Sequence, residues 1–172
     1  MRNIYSNILK FNKANVIKAV SYLNQNNVVG LPTETVYGLA GNAYSLSSIK
    51  KIFRLKKRPT NNPLIVHYYS LKDAHKDVYF NSDFLKLYER FCPGPITFIL
   101  KKKKTSKIQM LTNVEMRTVA VRFPKHKVMR SILKNINFPL AMPSANMSSG
   151  VSPVCAQDVF DEFKKKIKLI VN

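Results

Sequence analysis

The segments "TETVYG" (Thr33–Gly38), "KKRPTNNP" (Lys56–Pro63) and "PSANMSSGVSP" (Pro143–Pro153) concentrate hydroxyls, amides and cations beyond what plain connections need. No Ser/His/Asp signature, general-base pair, glycine-rich phosphate loop or metal-ligand cluster accompanies them, so a phosphate would have to be held by side chains. Lys56 and Arg58 suit that task. Arginine offers a planar fork matched to phosphate oxygens, and lysine a compact charge on a long stem. Asn62 follows in a proline-stiffened turn. The same cations would also complement the dipole at a helix C-terminus. Ser144, Asn146, Ser148, Ser149 and Ser152 make a loop of neutral donors between prolines, a composition that suits ribose and phosphate oxygens and equally a solvent loop with capping serines. His67 and Arg122 each end an otherwise apolar strand, where a buried, satisfied histidine is the ordinary occupant. His75 and His126 lie in polar surroundings and earn no role.

Such residues need a frame. "NKANVIKAVSYLNQNN" puts Val16, Ile17, Val20 and Leu23 on one helical face, ahead of a short apolar strand "VVGLP". A polar loop then leads to the helix "SLSSIKKIFRLKK", with Leu46, Ile49, Ile52 and Phe53 at helical spacing. "NPLIVHYY" reads as a buried strand, "SDFLKLYERF" as a helix capped by Ser82, and "PITFILKKK" as a strand after the "CPGP" turn. The strands "RTVAVRFP" and "NFPLAMPSAN" flank the helix "HKVMRSILKN", and a helix "CAQDVFDEFKKK" precedes a last strand "IKLIV". This alternation predicts an α/β fold: one single-domain, twisted, mostly mixed sheet flanked by helices, with an irregular excursion between Lys102 and Thr118. The polar segments directly follow apolar strands, where ligands of open sheets collect.

With 172 residues, 45% of them apolar, the chain is long enough for one well-buried core. No apolar run reaches the length of a membrane span, and "MRNIYSNILKFNKAN" lacks the features of a secretory signal, so a cytoplasmic location is expected. Cys92 and Cys155 stand apart without histidines at ligand spacing and read as two half-buried thiols. The 29 Lys and Arg against 9 Asp and Glu give a formal charge of +20, which attracts nucleotides, phosphates and RNA. A generally basic surface without a specific nucleic-acid site accounts for the same number, and Lys101–Lys104 fits a solvated turn.

In their order and spacing, "PTETVYGL", "KKRPTNNPLIVH", "PGPIT", "VAVR" and "PSANMSSGVSP" resemble the YrdC-like family of threonylcarbamoyl-AMP synthases. The resemblance implies a twisted α/β sheet around a basic cavity. It also implies an enzyme that joins L-threonine, bicarbonate or CO2, and ATP, releasing pyrophosphate, for threonylcarbamoyladenosine in tRNA. Carried over by position, Thr35, His67, Arg122 and the backbone at Met142 would line a threonine site, with Tyr37 packed behind. Arg58, Asn62, Thr118, Ser144 and Ser152 would face ATP, supported by Asn146. Lys56 and Arg58 would supply catalytic charge, and Mg2+ would be held mainly by the phosphates. The implied partners are RNA, including tRNA, and a tRNA-modifying transferase. The family continues past a strand like "IKLIV" into further strands, so this chain, ending at Asn172, is expected to be a C-terminally shortened domain with an exposed sheet edge and an incomplete cavity. The family's aromatic before "PGP" is Cys92 here. An RNA-binding module without catalysis and an inactive remnant are the alternative readings.

Overall fold

A computed structural model describes residues 5–109 and 117–172. Eight strands form one mixed sheet: β1 (Ile8–Leu9), β2 (Val29–Leu31), β3 (Gly38–Asn42), β4 (Val66–His67), β5 (Thr97–Lys101), β6 (Thr118–Arg122), β7 (Leu140–Ala141) and β8 (Ile170–Val171), in the spatial order β1-β8-β2-β3-β7-β4-β6-β5. The β1/β8, β8/β2 and β4/β6 pairs are parallel, and β2/β3, β3/β7, β7/β4 and β6/β5 antiparallel. The described helices are α1 (Lys13–Asn24), α2 (Leu46–Lys56), α3 (Leu71–Ala74), α4 (Ser82–Phe91), α5 (Lys127–Lys134) and α6 (Ala156–Phe163). None is long and apolar enough to cross a membrane.

Alternation along the strands divides the core into two layers. Val29, Leu31, Ala40 and Val171 pack with α1 and α5 through Val16, Leu23, Met129 and Ile132. Leu39, Val66, Val121 and Ile170 face the other way, against Ile52 of α2, Phe84 of α4 and Val159 of α6. Because Val66 and Val121 point into this second layer, the residues that follow them, His67 and Arg122, point to the opposite face. The parallel pairing of β4 with β6 sets those two side by side.

The expected mixed α/β sheet is present, with local differences. On α1 the buried stripe is Val16, Ala19 and Leu23, and Ile17, one position off it, is 61% exposed. Leu46 is likewise exposed at the start of α2. Asn81, not Ser82, caps α4, its side chain accepting from Phe84 N at 2.8 Å. The segment expected to be a polar loop before α2 contains β3, whose "GLAGN" sequence is poor in β-branched residues yet lies between β2 and β7. β8 is paired on both sides, by β2 and by β1, so the edge expected beside it is occupied. Part of the excursion between Lys102 and Thr118 falls outside the described residues. Cys92 and Cys155 are free and half-buried.

Gly38 sets how closely β3 approaches the strand-end segment after β7. A Cβ there would lie 2.5 Å from Met142 Cγ and 2.9 Å from the Pro143 carbonyl oxygen. That carbonyl also accepts from Leu39 N at 3.0 Å, so it has little freedom to retreat. Gly38→Ala is expected to destabilise the fold by about 1–3 kcal/mol, read from urea unfolding; a variant as stable as the parent would show that this contact is not tight.

Candidate functional site

The first wall of the site is the connection from β2 to β3. Thr33 organises it: its hydroxyl donates to Val36 O at 2.7 Å and accepts from the amides of Thr35 and Val36, both at 3.1 Å. This local turn presents Glu34 and Thr35 toward β6. Arg122 Nη2 donates to Glu34 Oε1 at 2.9 Å and to Thr35 Oγ1 at 3.2 Å. The other carboxylate oxygen of Glu34 accepts from the amides of Lys125 and His126, each at 3.2 Å. Burial pushes the Glu34 carboxyl up, but hydrogen bonds and the Arg122 charge outweigh it and leave the group below its ordinary 4.5.

Arg58 enters from α2. The helix ends in a left-handed Lys57 (φ 49°, ψ 39°), with Lys57 N bonded to Arg54 O and Arg58 N to Phe53 O, the reversal that closes many helices. Arg58 is then held by its own loop: Nε donates to Asn62 O at 3.0 Å, and Nη2 to Asn62 Oδ1 at 2.5 Å and Pro63 O at 3.0 Å.

The third wall follows β7. Met142 N donates to Ile65 O, and Ala145 N to Tyr37 O, tying this segment to both neighbours. Lys56 runs beneath it, 1% exposed, with Nζ donating to the carbonyls of Ser144, at 2.7 Å, and Asn146. Burial and then the charge of Arg58 pull the Lys56 ammonium down to about 8. Asn146 Nδ2 closes the loop on Met147 O and Gly150 O, both at 2.7 Å, and Glu162 of α6 accepts from Met147 N at 2.8 Å.

These walls enclose a cleft of about 270 Å³ lined by Thr35, Arg58, His67, Arg122, Met142 and Ser144, together with Thr33, Tyr37 and neighbouring apolar groups. Tyr37 is buried behind them, and its hydroxyl donates to Asn172 Oδ1 at 2.7 Å. At its floor His67 is 2% exposed, and burial, reinforced by Arg122, depresses its imidazole to about 3. It is therefore neutral at physiological pH. Its Nδ1 and Arg122 Nε are buried without a hydrogen-bond partner among the described residues. The cleft thus offers neutral donors and acceptors beside two guanidinium groups, an arrangement able to bind a small zwitterion next to a polyanion.

Not every residue singled out from sequence lines this cleft. Lys56 does not: it is 1% exposed and its ammonium donates to two backbone carbonyls beneath the loop, so its position argues for shaping the Ser144 loop rather than for charge aimed at a reacting phosphate. Asn62 orients Arg58, and Asn146 braces its own loop. Ser152 lies beside Pro153, whose carbonyl accepts from Tyr37 N at 2.8 Å. Thr118 begins β6 at the far end from Arg122, on the same face by strand alternation. Glu34 received no role from sequence, though "TETVYG" carried the signal: an acid in a short hydroxyl-rich turn facing a strand-end arginine. His126 caps α5, accepting from Val128 N.

A family model described as Telomere recombination, Sua5/YciO/YrdC, matches residues 21–172. A threonylcarbamoyl-AMP synthase of Pyrococcus abyssi is 36% identical over 157 residues, 90% of this chain and 45% of that protein. One from Bacillus subtilis is 36% identical over 165 residues, 95% and 47% of the two chains. The chain thus spans about half the length of these curated relatives. The solved structure of P. abyssi Sua5 complexed with L-threonine superposes with a TM-score of 0.90 at 33% identity, over 96% of this chain and 49% of that one.

Replacing Glu34 by glutamine should cost about 1–3 kcal/mol at neutral pH, because Arg122 keeps its buried charge and loses its carboxylate. As the folded-state carboxyl titrates below 4.5, this contribution is complete above that value and disappears as pH falls through the depressed one. Chemical denaturation of parent and variant should therefore converge in acid; a gap independent of pH would refute the ionic role.

Proposed function

The chain belongs to the Sua5/YciO/YrdC family, and we propose that it forms threonylcarbamoyl-AMP from L-threonine, CO2 or bicarbonate, and ATP, releasing pyrophosphate. One observation carries this reading: Thr35, Arg58, His67, Arg122, Met142 and Ser144, drawn from separate segments, meet in a single cleft whose buried His67 Nδ1 and Arg122 Nε lack partners among the described residues. Unmet buried groups of this kind are costly, and a polar ligand relieves the cost. Similarity to a protein whose structure holds L-threonine supports the amino acid as that ligand.

In this reading the Thr35 hydroxyl and the neutral His67 read the hydroxyl and amine of threonine, and Arg122 faces its carboxylate. A site built to hydrogen-bond such groups rejects analogues lacking them far better than an apolar pocket could. The threonine amine bonds to the carbon of CO2 and loses a proton, giving a carbamate. A carbamate oxygen then bonds to the α-phosphorus of ATP while the bond to the β-phosphate oxygen breaks, and pyrophosphate leaves. No enzyme nucleophile is required. Arg58 stabilises charge on the phosphates, Ser144 donates to them, and ATP extends toward Thr118 along the half-buried face of β6 that carries Thr118 and Arg122, with Ser152 near its nucleoside end. Among the described residues no cluster of three metal-binding side chains occurs. Mg2+ would come with the triphosphate, held mainly by the phosphate oxygens, and would neutralise phosphate charge there. The setting of this reading is the cytoplasm, where a tRNA-modifying transferase takes up the product.

Pyrophosphate release by the purified chain should require both L-threonine and bicarbonate, and Arg58→Ala should remove about 2–4 kcal/mol of transition-state stabilisation. Release that ignores threonine, or unchanged turnover in the variant, would contradict the reading; RNA binding without any release would favour a non-catalytic module. Since His67 stays neutral, its protonation should leave L-threonine affinity flat by calorimetry between about pH 5 and pH 8. A midpoint near 6.5 that disappears in His67→Gln would show that the imidazole is not as dry as its burial implies.

A further inference from the structure

A second concavity lies beside the residues that lead into β2 and β8. It encloses about 350 Å³ and is lined by Lys51 and Arg54 of α2, by Lys166 and Lys168 from the segment leading into β8, and by Tyr22 and Asn27 from the end of α1 and just beyond, over a small apolar floor. Along β2 the two linings are five residues apart, Val28 in this pocket and Thr33 in the cleft, about 16 Å of extended chain, while at the end of α2 Arg54 and Leu55 line the pocket and Arg58 the cleft. The lining carries four cations and no carboxylate. The ion pairs found among the described residues, Lys76–Asp73 and Arg122–Glu34, involve none of the four. Lys51 is fixed in place, Nζ donating to Asn26 O at 2.9 Å and Asn27 Oδ1 at 3.0 Å, which leaves one of its three hydrogens free to point elsewhere.

Four uncompensated positive charges around one hollow repel one another, an arrangement that an anion relieves. We propose that this pocket binds the phosphate backbone of a nucleic acid, with Tyr22 as a ring against which a base or ribose rests. A polymer fits better than a lone phosphate. Arg54, Lys166 and Lys168 are exposed, long-stemmed charges on two segments, suited to successive phosphates rather than to one enclosed anion. The nearest part of α1 is its C-terminal end, whose carbonyls disfavour a single buried anion. The formal charge of +20 adds long-range attraction.

The test measures fluorescence anisotropy of a labelled single-stranded RNA of about 20 nucleotides against the full chain over a series of salt concentrations. It compares the parent with the triple variant Arg54→Gln, Lys166→Gln, Lys168→Gln and with a control of equal charge change at exposed positions elsewhere, Lys72→Gln, Lys86→Gln, Lys134→Gln. The pocket variant should bind about tenfold or more weakly than the control, and its log–log salt slope should flatten by about 2, three lost contacts at about 0.7 each. L-threonine binding should be unchanged. Equal losses in both triples, or displacement of the RNA by millimolar inorganic phosphate at constant ionic strength, would overturn the proposal, the first by assigning binding to general charge and the second by assigning the pocket to a small anion. Independently of the variants, photocrosslinking of 4-thiouridine RNA to the parent should label the peptide containing Tyr22; labelling confined to cleft peptides would overturn it too.

Discussion

The contact on which the cleft depends is the ion pair between Glu34 and Arg122. Glu34 follows β2 and Arg122 ends β6, with β3, β7 and β4 between them. Four strand spacings amount to roughly 19 Å. That gap is spanned by a connection longer than a hairpin needs, by an arginine side chain and by the twist of the sheet. The 2.9 Å contact draws the Thr33–Val36 segment over the strand ends and converts an open edge into an enclosed volume. It also takes one end of the guanidinium out of use, so that what Arg122 still offers a ligand is directed by its fixed partner.

Around that contact the site separates two electrostatic tasks. His67, buried beside a permanent cation, is held neutral, so the floor presents uncharged hydrogen-bonding groups. Arg58 stands partly in solvent at the rim, where a polyanion can meet it without full desolvation. Lys56 belongs to neither group. Its ammonium is anchored between two carbonyls, and it serves the architecture of the loop that carries Ser144.

Much of this was legible before any coordinates. Long apolar periodicities marked α1, α2, α4 and α5, and polar runs after strands marked the walls of the cleft. What escaped was structure defined only by distant partners. β1 is two residues that exist as a strand because β8 lies alongside, and β3 is built of glycine, leucine, alanine and asparagine, whose local preferences do not announce a central strand. The same limit applies to side-chain roles. Arg58 and Lys56 are near neighbours with similar charge, and only the left-handed Lys57 between them sends one into the cleft and the other beneath the loop. Glu34 stood out by its hydroxyl-rich turn, but its pairing with Arg122 could not be assigned from local sequence, since the partner lies 88 positions away.

The segment after β7 is irregular in outline yet bonded like a strand. The Ser144 carbonyl meets Lys56 while Ala145 N meets Tyr37 O; the Asn146 carbonyl meets Lys56 while Met147 N meets Glu162; and Ser148 N returns to Lys56 O. On the other side of the opening, the side chain of Arg58 bonds, among the described residues, to Asn62 and Pro63, a few positions along its own turn. The entrance therefore has one stiff jaw and one compliant jaw. Any displacement of the turn of residues 58–63 would carry the Arg58 guanidinium with it, whereas the opposite side is braced by several elements.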